Sequence, residues 1–136
     1  MARPDLLGMI VRDMPTSLRF YRLLGLEFPP DADQDSHVEV RLPGGFRLGW
    51  DTLELMQGIH PHWAEAQGHR MALAFLCDSP ADVDSLYNRA VAAGYTGFRA
   101  PWDAFWGQRY AVLLDPDGNL VDLFAPLPQA GAGENG

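Results

Sequence analysis

Hydrophobic and polar positions in the first half of the chain change from a strand-like run to helical spacing within 25 residues. Leu6 to Val11 is a short, almost continuous apolar run, which is typical of a buried strand. Apolar residues then recur every three or four positions, and this spacing predicts a helix near residues 14–24. Asp13 can cap its start, Pro15 is tolerated in a first turn, and Gly25 can end it.

Four further extended segments are predicted before residue 58. Leu26–Phe28 is short and apolar, and Thr52–Gln57 is predicted as the last strand. Between them, residues 37–42 alternate, a Pro-Gly-Gly turn follows, and residues 46–50 return, which is the pattern of a hairpin. Counting strands other than the short stretch Leu26–Phe28, the first half predicts the order β-α-β-β-β.

The same order begins again in the second half. Residues 71–77 form a buried apolar run, and a helix is predicted near residues 80–93, from the cap at Ser79 and Pro80 to Gly94. Later apolar segments flank the turn Asp115–Asn119, whose Asp-Gly pair is a strong hairpin signal. These later strands are predicted at Phe98, Gln108–Leu114 and Leu120–Phe124.

The repeated order predicts an α+β fold made of two βαβββ modules within a single domain, residues 1–136. Module one is expected at residues 4–57 and module two at residues 70–125, with a flexible Gly/Ala-rich tail at 126–136. Each helix would cover one face of its sheet. The other faces are then expected to enclose a cup-shaped, half-barrel cavity.

Charge and composition narrow the possible functions. The net charge of −8 disfavours nucleic-acid binding, which needs a basic surface, and no apolar run is long enough to span a membrane. The chain contains no lysine, which excludes Schiff-base chemistry. A single cysteine and the absence of a recognisable secretory signal predict a cytoplasmic protein.

Three segments of the chain are characteristic, and they read VRDMPTSLRFYRLLGLEF, ADVDSLYNRAVAAGY and DPDGNLVDLF. Together they resemble the vicinal oxygen chelate superfamily, which includes glyoxalase I, extradiol dioxygenases and bleomycin-resistance proteins. The resemblance covers residues 5–125. It implies paired βαβββ modules that form a cup, and it implies a homodimer.

The resemblance also indicates where metal-dependent members carry their ligands. The three compared positions are Leu6, Ala72 and Asp122 in this chain. Leucine and alanine carry no donor atom, whereas a transition metal needs about three imidazole, thiolate or carboxylate ligands. We therefore expect no metal site and no cofactor, and the resemblance is closest to the metal-free, bleomycin-resistance-like branch.

Aromatic residues are the most prominent candidates for a binding site. The segment from Pro101 to Gly107 concentrates large rings in what reads as a loop bounded by proline and glycine. These rings either cover a sheet edge or a dimer contact, or they line a pocket for a flat ligand. The predicted aromatic lining is Trp50, Trp102, Phe105, Trp106 and Tyr110, with Asp51, Arg109 and Asp122 as polar groups.

Three functions remain open at this point. The favoured one is a non-catalytic protein that binds or sequesters a small molecule, for example an antibiotic or an aromatic metabolite. The second is a metal-dependent lyase or dioxygenase with displaced ligands, and the third is a dimerising interaction module. The acidic charge predicts a neutral or cationic guest, although Arg109 could reverse that preference locally.

Overall fold

The computed structural model describes residues 1–128, which divide into two compact units: Met1–Gln67, and the part that begins at Gly68. The described residues form two small sheets and three α-helices, so the predicted α+β class is confirmed. No helix among residues 1–128 has the length and apolar character needed to cross a membrane.

The first unit contains a three-stranded sheet in the order β1-β3-β2. Strand β3 lies in the middle, parallel to β1 and antiparallel to β2. In chain order the elements are β1 (Leu6–Val11), α1 (Met14–Leu23), a 3₁₀ turn (Ala32–Gln34), β2 (His37–Arg41), β3 (Arg47–Thr52) and α2 (Leu53–Ile59).

Helix α1 begins and ends where the sequence predicts. The Asp13 side chain accepts a hydrogen bond from the Thr16 backbone N–H, and Gly25 follows the helix with a φ of +109°, a conformation that glycine adopts without strain. The buried face of α1 includes Leu18, Phe20 and Tyr21, all 0% exposed, which form the core of this unit with residues of β1 and β3.

Two strand predictions in the first unit are wrong. Residues 53–59 form helix α2 because Thr52 caps it, accepting from the Leu55 backbone N–H at 3.1 Å, and Leu, Glu, Met and Gln favour helix over strand. Leu26–Phe28 is irregular, since the Leu26 N–H bonds back to the Tyr21 carbonyl at the helix end. The first unit therefore has the order β-α-β-β-α.

The second unit has the predicted βαβββ order. Its four-stranded sheet is arranged β4-β7-β6-β5, with β4 parallel to β7 and the other neighbours antiparallel. The elements are β4 (Ala72–Leu76), α3 (Pro80–Ala92), β5 (Thr96–Ala104), β6 (Gln108–Leu114) and β7 (Leu120–Pro126).

Helix α3 covers one face of this sheet. The Ser79 side chain caps its start, and Gly94 follows its end with a φ of +98°. Side chains from α3, β6 and β7 are fully buried in the layer between helix and sheet: Val83, Ala90, Ala111, Leu113, Val121, Leu123 and Ala125.

Two further expectations in the second unit need correction. The segment around Pro101 is part of β5 rather than a loop, because β5 is an edge strand on which a proline without an N–H is tolerated. The predicted flexible tail at 126–136 begins too early, since Pro126 ends β7 and the Leu127 N–H bonds to the Gly107 carbonyl. Residues 129–136 lie outside the described residues.

Candidate functional site

The face of the second sheet that α3 does not cover carries a mixed aromatic and polar surface. Alternation along β7 directs Val121, Leu123 and Ala125 towards the helix, so Asp122 and Phe124 lie on the opposite side. We call this opposite side the open face. Its inner residues are half-buried, and they are Tyr110, Val112, Asp122 and Phe124, joined at the β5 edge by Trp102.

An aromatic cluster, Trp102, Trp106, Tyr110 and Phe124, dominates the open face. Tyr110 is at its centre, with ring centroids 5.5 Å from Trp102, 5.2 Å from Trp106 and 6.2 Å from Phe124. The two tryptophan contacts are edge-to-face, the geometry that aromatic quadrupoles favour. Trp106 is 48% exposed, so the cluster presents a ring surface to solvent as well as packing on itself.

A polar pair lies next to these rings. The Tyr110 hydroxyl donates to Asp122 Oδ2 at 2.5 Å. Burial of the phenol, reinforced by the neighbouring carboxylate, raises the pKa of Tyr110 to about 12. Tyr110 therefore stays protonated at neutral pH and orients the carboxylate, so that Asp122 can accept a further hydrogen bond from a guest.

An irregularity in β5 adds a cation to this face. Arg99 pairs with Val112 and Trp102 with Tyr110, so three steps along β5 match two steps along β6. Residues separated by an odd number of positions along a strand normally point to opposite faces of the sheet. The extra residue in β5 instead places Arg99 and Trp102 on the same face. The Arg99 guanidinium consequently lies 3.6 Å from the centroid of a Trp102 ring.

The prediction that Trp50 lines a pocket is wrong. Trp50 is 0% exposed and packs edge-to-face against Tyr21 at 5.3 Å and Phe28 at 5.0 Å. It faces α1 because β3 alternates, and it is a core residue of the first unit.

The polar residues predicted beside it also have other roles. Arg109 lies on the helix-covered side of β6, where it binds Asp84 of α3 through Nε and Nη2 and Asp103 through Nη1. Asp51 pairs with His37 in the first unit. Of the predicted set, Trp102, Trp106, Tyr110 and Asp122 come together, while Phe105, 96% exposed, contacts Trp106 from the hairpin tip.

The residues at the compared metal positions do not fit a metal centre. Leu6 and Ala72 offer no donor atom, and one oxygen of Asp122 is bonded by the Tyr110 hydroxyl. Within residues 1–128, no three His, Cys, Asp or Glu side chains are grouped so that they could hold a metal ion. The absence of bound metal stays a prediction.

The first unit has its own charged row on the sheet face opposite α1. His37 contacts Asp51 through Nδ1 at 2.5 Å and Glu39 through Nε2 at 2.8 Å. Glu39 also accepts from Arg47, which donates to Asp5 as well. The carboxylates of Asp51 and then Glu39 raise the pKa of His37, because they favour its protonated form.

This arrangement predicts a pH dependence of stability for His37. Its pKa is raised above the ordinary 6.5, so its contribution is fully present below about pH 6.5 and is lost as the pH rises through the folded-state value. Exposure limits the effect to ~0–1 kcal/mol. Urea titrations at a series of pH values should show that His37→Gln flattens the decline, whereas the loop variant His62→Gln should leave it unchanged. An identical decline in His37→Gln would contradict the assignment.

Sequence reasoning missed Arg99 and Phe124 as members of the candidate site. Phe124 could have been found from alternation, since it is two residues beyond Asp122 on β7. Arg99 could not, because simple alternation places it on the face opposite Trp102 and only the paired register shows the extra residue.

Solved structures with the same fold span nearly the whole chain. A glyoxalase/bleomycin resistance protein/dioxygenase family enzyme from Burkholderia phytofirmans is similar with a TM-score of 0.79 and 25% identity, covering 93% of this chain and 100% of that one. A glyoxalase/bleomycin resistance protein/dioxygenase from Nocardioides is similar with a TM-score of 0.70 and 25% identity, covering 100% of this chain and 92% of that one.

The curated relatives match only part of this chain. Uncharacterized proteins of Mycobacterium bovis and Mycobacterium tuberculosis are each 40% identical over 53 residues, which is 39% of this chain. The match covers only 35% and 31% of their respective lengths, about a third of each.

The family model described as the glyoxalase/bleomycin resistance protein/dioxygenase superfamily matches residues 3–123. This match and the structural similarity agree with the family resemblance carried by the three sequence segments. The chain therefore belongs to the glyoxalase/bleomycin resistance protein/dioxygenase superfamily.

Proposed function

We propose that this protein is a non-catalytic, small-molecule-binding member of the superfamily, of the bleomycin-resistance type. Its guest is a planar aromatic molecule that packs on the open face of the second unit. An antibiotic or an aromatic metabolite would have the required chemistry, and binding or sequestration would be the protein's action.

The observation that carries this proposal is the aromatic cluster built around the Tyr110–Asp122 pair. Small-molecule sites are mostly apolar and aromatic, with a few fixed polar groups that orient the guest. Here Trp106 is 48% exposed and in edge contact with Tyr110, while Asp122 is held by the Tyr110 hydroxyl. Stacking on such rings contributes about 0.5–1.5 kcal/mol per pair beyond the burial of area.

The donor chemistry supports binding over metal-dependent catalysis. A lyase or dioxygenase with displaced ligands requires a new donor set, and residues 1–128 group no such set. Metal analysis of the dialysed protein tests this alternative, since one equivalent of a transition metal per chain would favour it. The homodimer implied by the family resemblance remains a proposal alongside the binding function.

Trp106→Ala is expected to weaken binding of an aromatic guest by about tenfold or more, the effect of losing an aromatic hot spot. Folding should change less, because nearly half of the Trp106 side chain is exposed. The guest would come from a thermal-shift screen of antibiotics and aromatic metabolites. Titration calorimetry would then give its affinity for the wild type and the variant.

Trp63→Ala is the matched control. This ring contacts His60 in the first unit at a centroid distance of 5.7 Å and does not belong to the aromatic cluster. Its loss should leave the affinity unchanged. Equal affinities of the wild type and the Trp106→Ala and Trp102→Ala variants would contradict binding at this face.

A further inference from the structure

The stacked position of Arg99 bears on the charge of the guest. The N–H groups of a guanidinium lie in its own plane. When the guanidinium lies over an indole, they can therefore still donate to an oxyanion at the edge of the guanidinium. Arg99 is itself exposed and lies on the edge strand β5. The Trp102 ring at 3.6 Å limits the conformations of this side chain and prepares it for binding.

Arg99 differs from the arginines that serve the fold. Arg47 and Arg109 are each held by two carboxylates, at distances of 2.6–3.0 Å. Among the described residues, by contrast, no carboxylate forms an ion pair with Arg99, and its guanidinium contacts the Trp102 indole. Its positive charge is therefore not neutralised by the protein at this face.

The paired strands place Arg99 opposite Asp122 across the open face. Arg99 pairs with Val112, and Val112 pairs with Asp122, so the three residues form one row across β5, β6 and β7. Neighbouring strands are about 4.8 Å apart, which separates the two charged ends by roughly 10 Å at the backbone. Val112 is the apolar position between these ends.

The next row along the same strands is aromatic. Trp102 pairs with Tyr110, and Tyr110 pairs with Phe124. A planar guest lying along the charged row would therefore have rings on one side, a cation at one end and a carboxylate at the other. Its most favourable polar groups are an anion facing Arg99 and a hydrogen-bond donor facing Asp122.

We propose that the site selects aromatic carboxylic acids that carry a hydroxyl or amino group at the far end, with Arg99 binding the carboxylate and Asp122 accepting from the donor. This inference rests on the proposed binding function and names its class of guest. It revises the expectation of a neutral or cationic guest, which rested on the net charge of −8. The arginine that the sequence suggested for this role, Arg109, is occupied by Asp84 and Asp103 on the other side of the sheet.

The test uses matched probes that differ in one group. For the wild-type protein, 4-hydroxyphenylacetate should bind about tenfold more tightly than 4-hydroxyphenylacetamide, because only the acid forms a charge-assisted pair with Arg99. It should also bind more tightly than phenylacetate, which lacks the donor for Asp122. Affinities would come from NMR titration, with the shifted resonances mapping to β5, β6 and β7.

Arg99→Gln should reduce the acid-to-amide affinity ratio to about one, because glutamine cannot form the charge-assisted pair that favours the acid. Arg89→Gln, in the exposed last turn of α3, is the matched control and should keep the tenfold ratio. The wild-type ratio is informative without any variant, so a folding defect in Arg99→Gln would not remove the test.

The outcomes separate the two proposals. If acid and amide bind equally, at a site that Trp106→Ala weakens, the anion preference is wrong and the binding function stands. If acids bind more tightly but Arg99→Gln keeps the ratio, the role of Arg99 is wrong. If neither probe binds and the screen yields no aromatic guest, both proposals fail.

Discussion

Trp50→Ala is expected to lower the free energy of unfolding by about 3–5 kcal/mol, the range for removing a large aromatic side chain from a packed core. Trp50 is 0% exposed, and its ring contacts Tyr21 at 5.3 Å and Phe28 at 5.0 Å. The variant would leave a cavity beneath α1 and remove two edge-to-face contacts. Chemical denaturation monitored by circular dichroism measures the loss.

Trp50→Phe separates the contribution of ring volume from that of the indole N–H. The Nε1 atom of Trp50 is buried and has no hydrogen-bond partner among the described residues. Replacing indole by phenyl therefore sacrifices no hydrogen bond, and we expect a clearly smaller loss than for alanine. If Trp50→Phe lowered the free energy of unfolding as much as Trp50→Ala, the indole N–H would contribute to stability. That result would contradict the unpaired Nε1 described for this core.

Asp115→Ala is expected to destabilise the protein by about 2–4 kcal/mol, because three hydrogen bonds that hold the turn lose their buried acceptor. The Asp115 side chain accepts from the backbone N–H groups of Asp117 at 2.9 Å and Asn119 at 2.8 Å through Oδ1, and from Asn119 Nδ2 at 2.9 Å through Oδ2. The residue is only 4% exposed, so water cannot readily replace these bonds. The same denaturation experiment measures the effect.

Asp115→Asn is the informative control for the turn. Its amide oxygen can still accept from both backbone N–H groups, whereas the charge and the bond from Asn119 Nδ2 are lost. We expect an intermediate loss of stability. The role assigned to the carboxylate would be refuted by an alanine variant as stable as the wild type, or by an asparagine variant as unstable as alanine.

Local signals in the sequence predicted those parts of the fold that depend on neighbouring residues. The capping residues Asp13 and Ser79 predicted the first residues of α1 and α3. This works because a capping side chain accepts a hydrogen bond from a backbone N–H two or three positions further along the chain. Thr52 is a cap of the same kind. The alternation of Leu53, Glu54 and Leu55 after it also fits a strand, so the sequence pattern alone does not distinguish a helix from a strand here.

The candidate site was predicted only in part, because its membership depends on which face each side chain occupies. Tyr110 and Asp122 lie on regular strands, and they do come together. Arg109 does not belong to the site, although it is next to Tyr110 in sequence. Neighbouring residues of a strand point to opposite faces of the sheet, and Tyr110 is on the open face. Trp50 is a core residue because of contacts with Tyr21 and Phe28, which the sequence does not reveal.

The irregular register of β5 also affects how copies of this chain could associate. Unpaired edge strands promote pairing between molecules, and proteins oppose this with bulges and edge prolines. Strand β5 has both, since its pairing with β6 shifts on each side of Arg99 and Pro101 follows within the strand. Aggregation by strand addition is therefore disfavoured along β5. Strand β4, which pairs with β7 over five residues without a shift, is the regular edge of this sheet.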